Sequence, residues 1–170
     1  MTEDVVKDLG YLTLGTRLKR LGERLQAQTQ VVMGQQAIEF PASHFPLLAA
    51  LDRFGAVSVG ELAEALGASQ PGVTRMLDRL QDEGLVESTQ PVDDRRVRTI
   101  GLTKSGRQLV SKAKRSVWPV VEAAVADACG GPAKSLLAAL AALEDALTAA
   151  PLNVRAGHLR SGETHNHDST

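Results

Sequence analysis

The chain has 170 residues, a net charge of −1 and 23% charged residues, which suits one domain with extensions around a modest core. A single Cys excludes a disulfide scaffold, and five aromatics (Tyr11, Phe40, Phe45, Phe54 and Trp118) are too few for a binder of single strands or RNA loops, which needs stacking platforms. No apolar run nears eighteen residues and the MTEDVVKD start is acidic, so the expectation is a cytoplasmic protein with no membrane partner.

Residues 1–45 read as an N-terminal helical arm. Within 4–34, Leu14, Leu18, Leu21 and Leu25 recur at i, i+4, i+7 and i+11, a single apolar seam. His44 follows in PASHFPLL, where the spacing suits a capping or pocket role better than a metal ligand.

Residues 46–103 carry the densest signals. Ser58 and Glu61 have capping-box spacing, Leu62, Ala63 and Leu66 recur at helical intervals, and Gly67 supplies a helix stop. Ser69 is the next N-cap candidate, with Pro71 tolerated in the first turn. Val73, Met76, Leu77 and Leu80 then form a buried stripe that ends at Gly84. Two short helices joined by so tight a turn form a helix-turn-helix. On the second helix, Pro71, Thr74, Arg75, Asp78, Arg79 and Asp82 face away from the stripe. A face with Thr and Arg near its start suits a recognition helix in the major groove. The competing reading is a solvated face on which Arg75–Asp78 and Arg79–Asp82 satisfy each other.

A β-hairpin wing follows. Leu85–Glu87 and Val97–Leu102 read as antiparallel strands around the polar loop STQPVDDRR. Arg95, Arg96 and Arg98 cluster there, the side chain suited to narrow minor grooves and phosphate pairs, and Asp94 would orient a neighbouring guanidinium. The candidate DNA-contacting residues are therefore Ser69, Gln70, Thr74, Arg75, Arg79, Arg95, Arg96 and Arg98.

Residues 104–150 read as C-terminal helices. A long helix over about 104–128 starts at an N-cap Thr103 and kinks at Pro119, and a second starts near Pro132 and carries Leu136, Leu140, Leu143 and Leu147. Helices of this length cannot all cover their apolar stripes on a small core. The expectation is a homodimer whose arms are the N- and C-terminal helices; a monomer with the helices folded back stays open. Residues 151–170 have the composition of a polar, disordered tail, and its His165 and His167 lack a fixed third ligand for a metal.

Charge is unevenly spread. Residues 69–115 hold ten Lys/Arg against six Asp/Glu, while 1–68 and 116–170 are net acidic. The positive excess sits where duplex phosphates would lie.

VTRMLDRLQDEGLV followed by DDRRVRTIGLTKSG resembles the core of the MarR (multiple antibiotic resistance regulator) family. The matching positions are Val73-Thr74-Arg75, Asp78, Leu80, Gly84-Leu85-Val86, Asp94-Arg95-Arg96, and Leu102-Thr103 with Gly106. The resemblance is close over 47–106 and loose over 10–148. It implies a mainly α fold, a winged helix-turn-helix core with long dimerisation helices. It also implies a homodimeric regulator of double-stranded DNA, a repressor by the family's habit, on a pseudo-palindromic site. In the family, small and often aromatic molecules bind between the arms and the winged helix. Tyr11, His44, Phe45 and Trp118 would line that crevice here, or serve as ordinary packing. Reactive cysteines of oxidation-sensing relatives lie in the N-terminal helix, so Cys129 departs from that pattern and reads as a small buried filler.

No GxSxG, phosphate-cradling Gly loop, HExxH or paired CxxC occurs, so neither an enzyme nor a metal or cofactor is expected. The alternative is a winged-helix protein-interaction module without DNA binding, which would show exposed apolar residues in place of the arginine set.

Overall fold

The computed structural model describes residues 3–38, 40–89, 99–130 and 133–163. They form a mostly helical fold with a small antiparallel sheet, in two units, Met1–Val121 and Glu122–Thr170.

In the first unit the N-terminal arm is not one helix. It comprises α1 (Val5–Asp8), a 3-10 turn over Gly10–Thr13, and α2 (Leu14–Gln35). Gly10 has φ of 55°, which no continuous α-helix accommodates. Arg20 grips Asp4 in a two-pronged pair of 3.0 and 2.9 Å and so lays α1 against α2. Helix α2 ends on Ala37, a non-glycine residue with φ of 51°; the Ile38 amide donates to the Met33 carbonyl and the Ala37 amide to that of Gly34. Lys112 donates to the Ala37 carbonyl at 3.0 Å, holding this strained turn from outside the arm.

The helix-turn-helix is α4 (Val59–Ala65) and α5 (Gln70–Asp82), preceded by α3 (Phe45–Phe54). Ser58 and Glu61 close the capping box: the Ser58 hydroxyl accepts from the Glu61 amide, and the Glu61 carboxylate accepts from the Ser58 amide at 2.7 Å. Those bonds to Ser58 hold the Glu61 carboxyl below its ordinary range. Both helices stop the same way. The Ala68 amide reaches back to Ala63 and the Leu85 amide to Leu80, across Gly67 at φ 58° and Gly84 at φ 66°.

The sheet has the order β1-β3-β2, with β1 (Val57–Ser58), β2 (Val86–Thr89) and β3 (Thr99–Leu102). Val86 pairs Leu102 and Thr89 pairs Thr99, while Val57 pairs Ile100 on the other edge. The two wing strands were anticipated; β1, only two residues long, was not. The start of α6 (Lys104–Ser116) packs onto the end of this hairpin. Thr103 caps α6 by accepting from the Gly106 amide at 3.0 Å, and its own hydroxyl donates to the Gly84 carbonyl at 2.7 Å. Gly106 lies so close that a Cβ there would sit 2.0 Å from the Leu85 carbonyl oxygen.

The core gathers Met33, Leu47, Leu48, Leu51, Leu62, Val73, Leu77, Leu80, Ile100 and Val110. It thus joins the end of the arm, all three winged-helix helices, the sheet and α6.

Where a single helix was read over 104–128, there are two, α6 and α7 (Trp118–Cys129). The break falls at Val117, whose amide donates to Ala113 and whose carbonyl accepts from Val121. Pro119 explains it, because a ring without an N–H fits only the first turn of a new helix.

The second unit carries the rest of α7, then α8 (Ala133–Ala149) and α9 (Leu152–Glu163). Helix α9 occupies residues that the composition suggested were disordered. Pro151 opens it by accepting from Val154 and Arg155, and Arg155 Nε donates back to the Ala150 carbonyl at 2.8 Å. Pro132, His165 and His167 lie outside the described residues. Cys129 is half-buried rather than a fully enclosed filler. No single helix among the described residues is long and apolar enough to cross a membrane, although the bent pair Lys134–Ala149 and Leu152–Arg160 meets that length and composition together.

Candidate nucleic-acid interface

Helix α5 presents its polar face because its other face is fully committed. Val73, Leu77 and Leu80 are buried, and Met76 is partly so. Pro71, Thr74, Arg75, Asp78, Arg79 and Asp82 are all exposed. A rotation that buried any of them would expose the stripe, at about 1.5–3 kcal/mol per large apolar side chain.

The individual groups differ in what they can still bond. Ser69 accepts from the Gly72 amide at 3.3 Å, which leaves its hydroxyl proton uncommitted. Thr74 does the reverse, donating its hydroxyl proton to the Gln70 carbonyl at 2.9 Å. Gln70 itself is exposed at the first helical position. Neither Arg75–Asp78 nor Arg79–Asp82 closes into an ion pair among the described residues. The self-satisfied surface is therefore not what forms, and Arg75 stands free at the exposed start of the helix.

Arg79, one turn further on, has a second neighbourhood. It lines a groove of about 390 Å³ with Gln30, Gly34, Ile38, Phe40 and Pro41, so it stands where α5 meets the arm. Burial, and then the charge of Arg79, lower the His44 imidazole below its ordinary value. Gln30 is a residue that sequence reasoning missed. Its amide donates to the Phe40 carbonyl at 3.0 Å and its oxygen accepts from the Ala42 amide at 2.8 Å, pinning the arm to the approach to α3. Partners ten and twelve residues away, both backbone, leave no local signature.

Of the four residues suggested for a ligand crevice, three come together. His44 meets Phe40 edge-on at 5.4 Å, Phe40 meets Phe45 at 6.2 Å, and Phe45 meets Trp118 at 6.4 Å. Lys114 sits 5.9 Å over the Trp118 ring and pairs with Asp52 of α3. Tyr11 does not join them: it is 94% exposed. The wing-tip residues Asp94, Arg95, Arg96 and Arg98 lie outside the described residues.

The sequence pattern described as MarR family matches residues 39–97, the span from the approach to α3 through the helix-turn-helix into the wing. Over those residues the chain is similar to the MarR family. A curated relative, the HTH-type transcriptional repressor MdtR of Bacillus subtilis (strain 168), is 35% identical over 89 residues, 52% of this chain and 56% of that protein. The match thus spans little more than half of the curated relative's length. Among solved structures, the transcriptional repressor CouR bound to a 23-mer DNA duplex superposes with a TM-score of 0.67 at 29% identity, covering 80% of this chain and 96% of CouR. BpsR of Bordetella bronchiseptica, described with regulation of its DNA binding by 6-hydroxynicotinic acid, matches with a TM-score of 0.62 at 25% identity, over 77% and 91% of the two chains.

Proposed function

We propose that this chain is a MarR-family, sequence-specific regulator of transcription that binds double-stranded DNA as a homodimer, represses, and is released by a small-molecule effector. It is a cytoplasmic binding protein and not an enzyme. The observation that carries the reading is the outward face of α5, where Ser69, Gln70, Thr74 and an unpaired Arg75 share one exposed surface over a fully buried stripe. The repressor MdtR and the DNA-bound CouR support it by likeness. A protein-docking face would need large apolar side chains there, and α5 exposes none.

Arg95, Arg96 and Arg98, oriented by Asp94, supply the wing's phosphate or minor-groove contacts. The arms supply the second copy, which sets two half-sites about 34 Å apart, one turn of duplex. The effector enters between arm and winged helix. The His44–Phe45–Trp118 aromatic row and the Arg79 groove offer it apolar walls and one cation. Binding there acts on DNA affinity only through unequal affinity for the two spacings of the recognition helices.

The test is fluorescence anisotropy of the full chain on duplexes from its own upstream region. The wild type binds with an affinity that falls steeply with salt. Arg75→Ala costs about 1–3 kcal/mol and relaxes base preference. Affinity indifferent to both salt and Arg75→Ala would overturn the reading.

A further inference from the structure

Resting on the reading of α5 as a recognition helix, we infer that Thr74 reads an exocyclic base amine, adenine N6 or cytosine N4, beside a guanine held by Arg75. The argument is one of proton accounting. A threonine hydroxyl has one proton to donate and two lone pairs to accept with. In α5 that proton goes to the Gln70 carbonyl one turn back, at 2.9 Å, while the side chain stays exposed. Towards the major groove Thr74 therefore offers lone pairs alone, and only a donor can meet them. On base edges in that groove the donors are the amines of adenine and cytosine.

Its neighbours have the opposite polarity. Among the described residues Arg75 has no carboxylate partner, and a guanidinium can only donate, which fits the paired acceptors O6 and N7 of guanine. Ser69 spends a lone pair on the Gly72 amide and keeps its proton, so it donates, and a phosphate oxygen takes such a proton. Thr74 and Arg75 are consecutive, so the amine-bearing base and the guanine lie within a step or two of each other. The helix thus carries a fixed order of polarities, donor at its start, acceptor in its first full turn, donor immediately after.

The test is selection of duplexes from a randomised pool by the full-length wild type, Thr74→Val and Thr74→Ser, followed by sequencing and affinity measurement. Valine keeps the shape and methyl but has no lone pair; serine keeps the hydroxyl and its bond to Gln70. Wild type and Thr74→Ser enrich adenine or cytosine at one position next to an Arg75-dependent guanine. Thr74→Val loses that enrichment alone and binds the preferred duplex roughly threefold to tenfold more weakly, the size of one neutral hydrogen bond. Thermal melting of each variant without DNA separates base reading from any effect on folding. Replacing the selected base by an analogue without the amine weakens the wild type and not Thr74→Val. If the position that responds to Thr74→Val demands guanine or thymine, the hydroxyl donates and the inference is overturned. It is equally overturned if Thr74→Ser loses the preference while Thr74→Val keeps it, since the methyl is then the reader. If the wild type enriches no duplex at all, the function proposed above fails with it.

Discussion

The winged-helix core and the arms treat their apolar residues in opposite ways. In the core, Leu47, Leu48, Leu62, Val73, Leu80 and Val110 are fully buried, and α4 and α5 each start at a serine cap and stop at a glycine turn. On α2, Leu18, Leu21 and Leu25 remain 37–43% exposed, and on α8 Leu136 and Leu147 remain 45% and 41% exposed. One region is satisfied within a single chain and the other is not. The lesson is that the fold of the reading head and the covering of the arms are separate problems, the first solved by intramolecular packing and the second, on the function proposed above, by a second copy.

Three changes sharpen that contrast. The largest effect belongs to the core. Gly106→Ala forces a Cβ against the Leu85 carbonyl, a backbone atom that cannot swing aside, so thermal unfolding should show a loss of about 3 kcal/mol or more. A melt within a degree of wild type would mean that the α6–hairpin junction is looser than described.

The next largest belongs to the arms. Leu21→Glu leaves the monomer's core untouched and should weaken self-association about 100-fold, since a two-fold interface loses about 1.4 kcal/mol or more in each copy. Sedimentation at graded concentrations checks this. An unchanged dimer would place the interface elsewhere.

The smallest belongs to the junction between the two regions. The His44 imidazole is held below its ordinary value of about 6.5 by burial and by Arg79. The unfolded chain therefore takes up the proton first. The stability His44 contributes is present above about pH 6.5 and is lost as pH falls through its lower, folded value. Melting temperature measured from pH 7.5 to 5.5 should fall less for His44→Phe than for the wild type; equal slopes would remove the effect.

Much of the reading head was legible because its determinants are local. Ser58 with Glu61, Ser69 with Pro71, Gly67, Gly84 and the Thr103 cap on the Gly106 amide each act within four residues of where they stand, and the structure uses each as its spacing implied. What was missed acts across distance. Gly106 is constrained by Leu85, twenty-one positions back in the chain, and Gln30 by backbone at Phe40 and Ala42. Strand β1 has two residues and no period to detect. The split at Val117 was anticipated only as a kink, because Pro119 marks a boundary without saying whether the helix bends or restarts. Tyr11 went astray for the opposite reason: an aromatic invites a pocket, and the turn set by Gly10 holds it in solvent.

The central claim is that α5 meets duplex DNA in two copies joined by the arms. Analytical ultracentrifugation of the full chain with a fluorescent duplex chosen from its own upstream region tests that directly. The account predicts two protomers on each duplex at low salt, with both released as salt is raised. A single protomer that never migrates with any duplex, even at low salt, would contradict it.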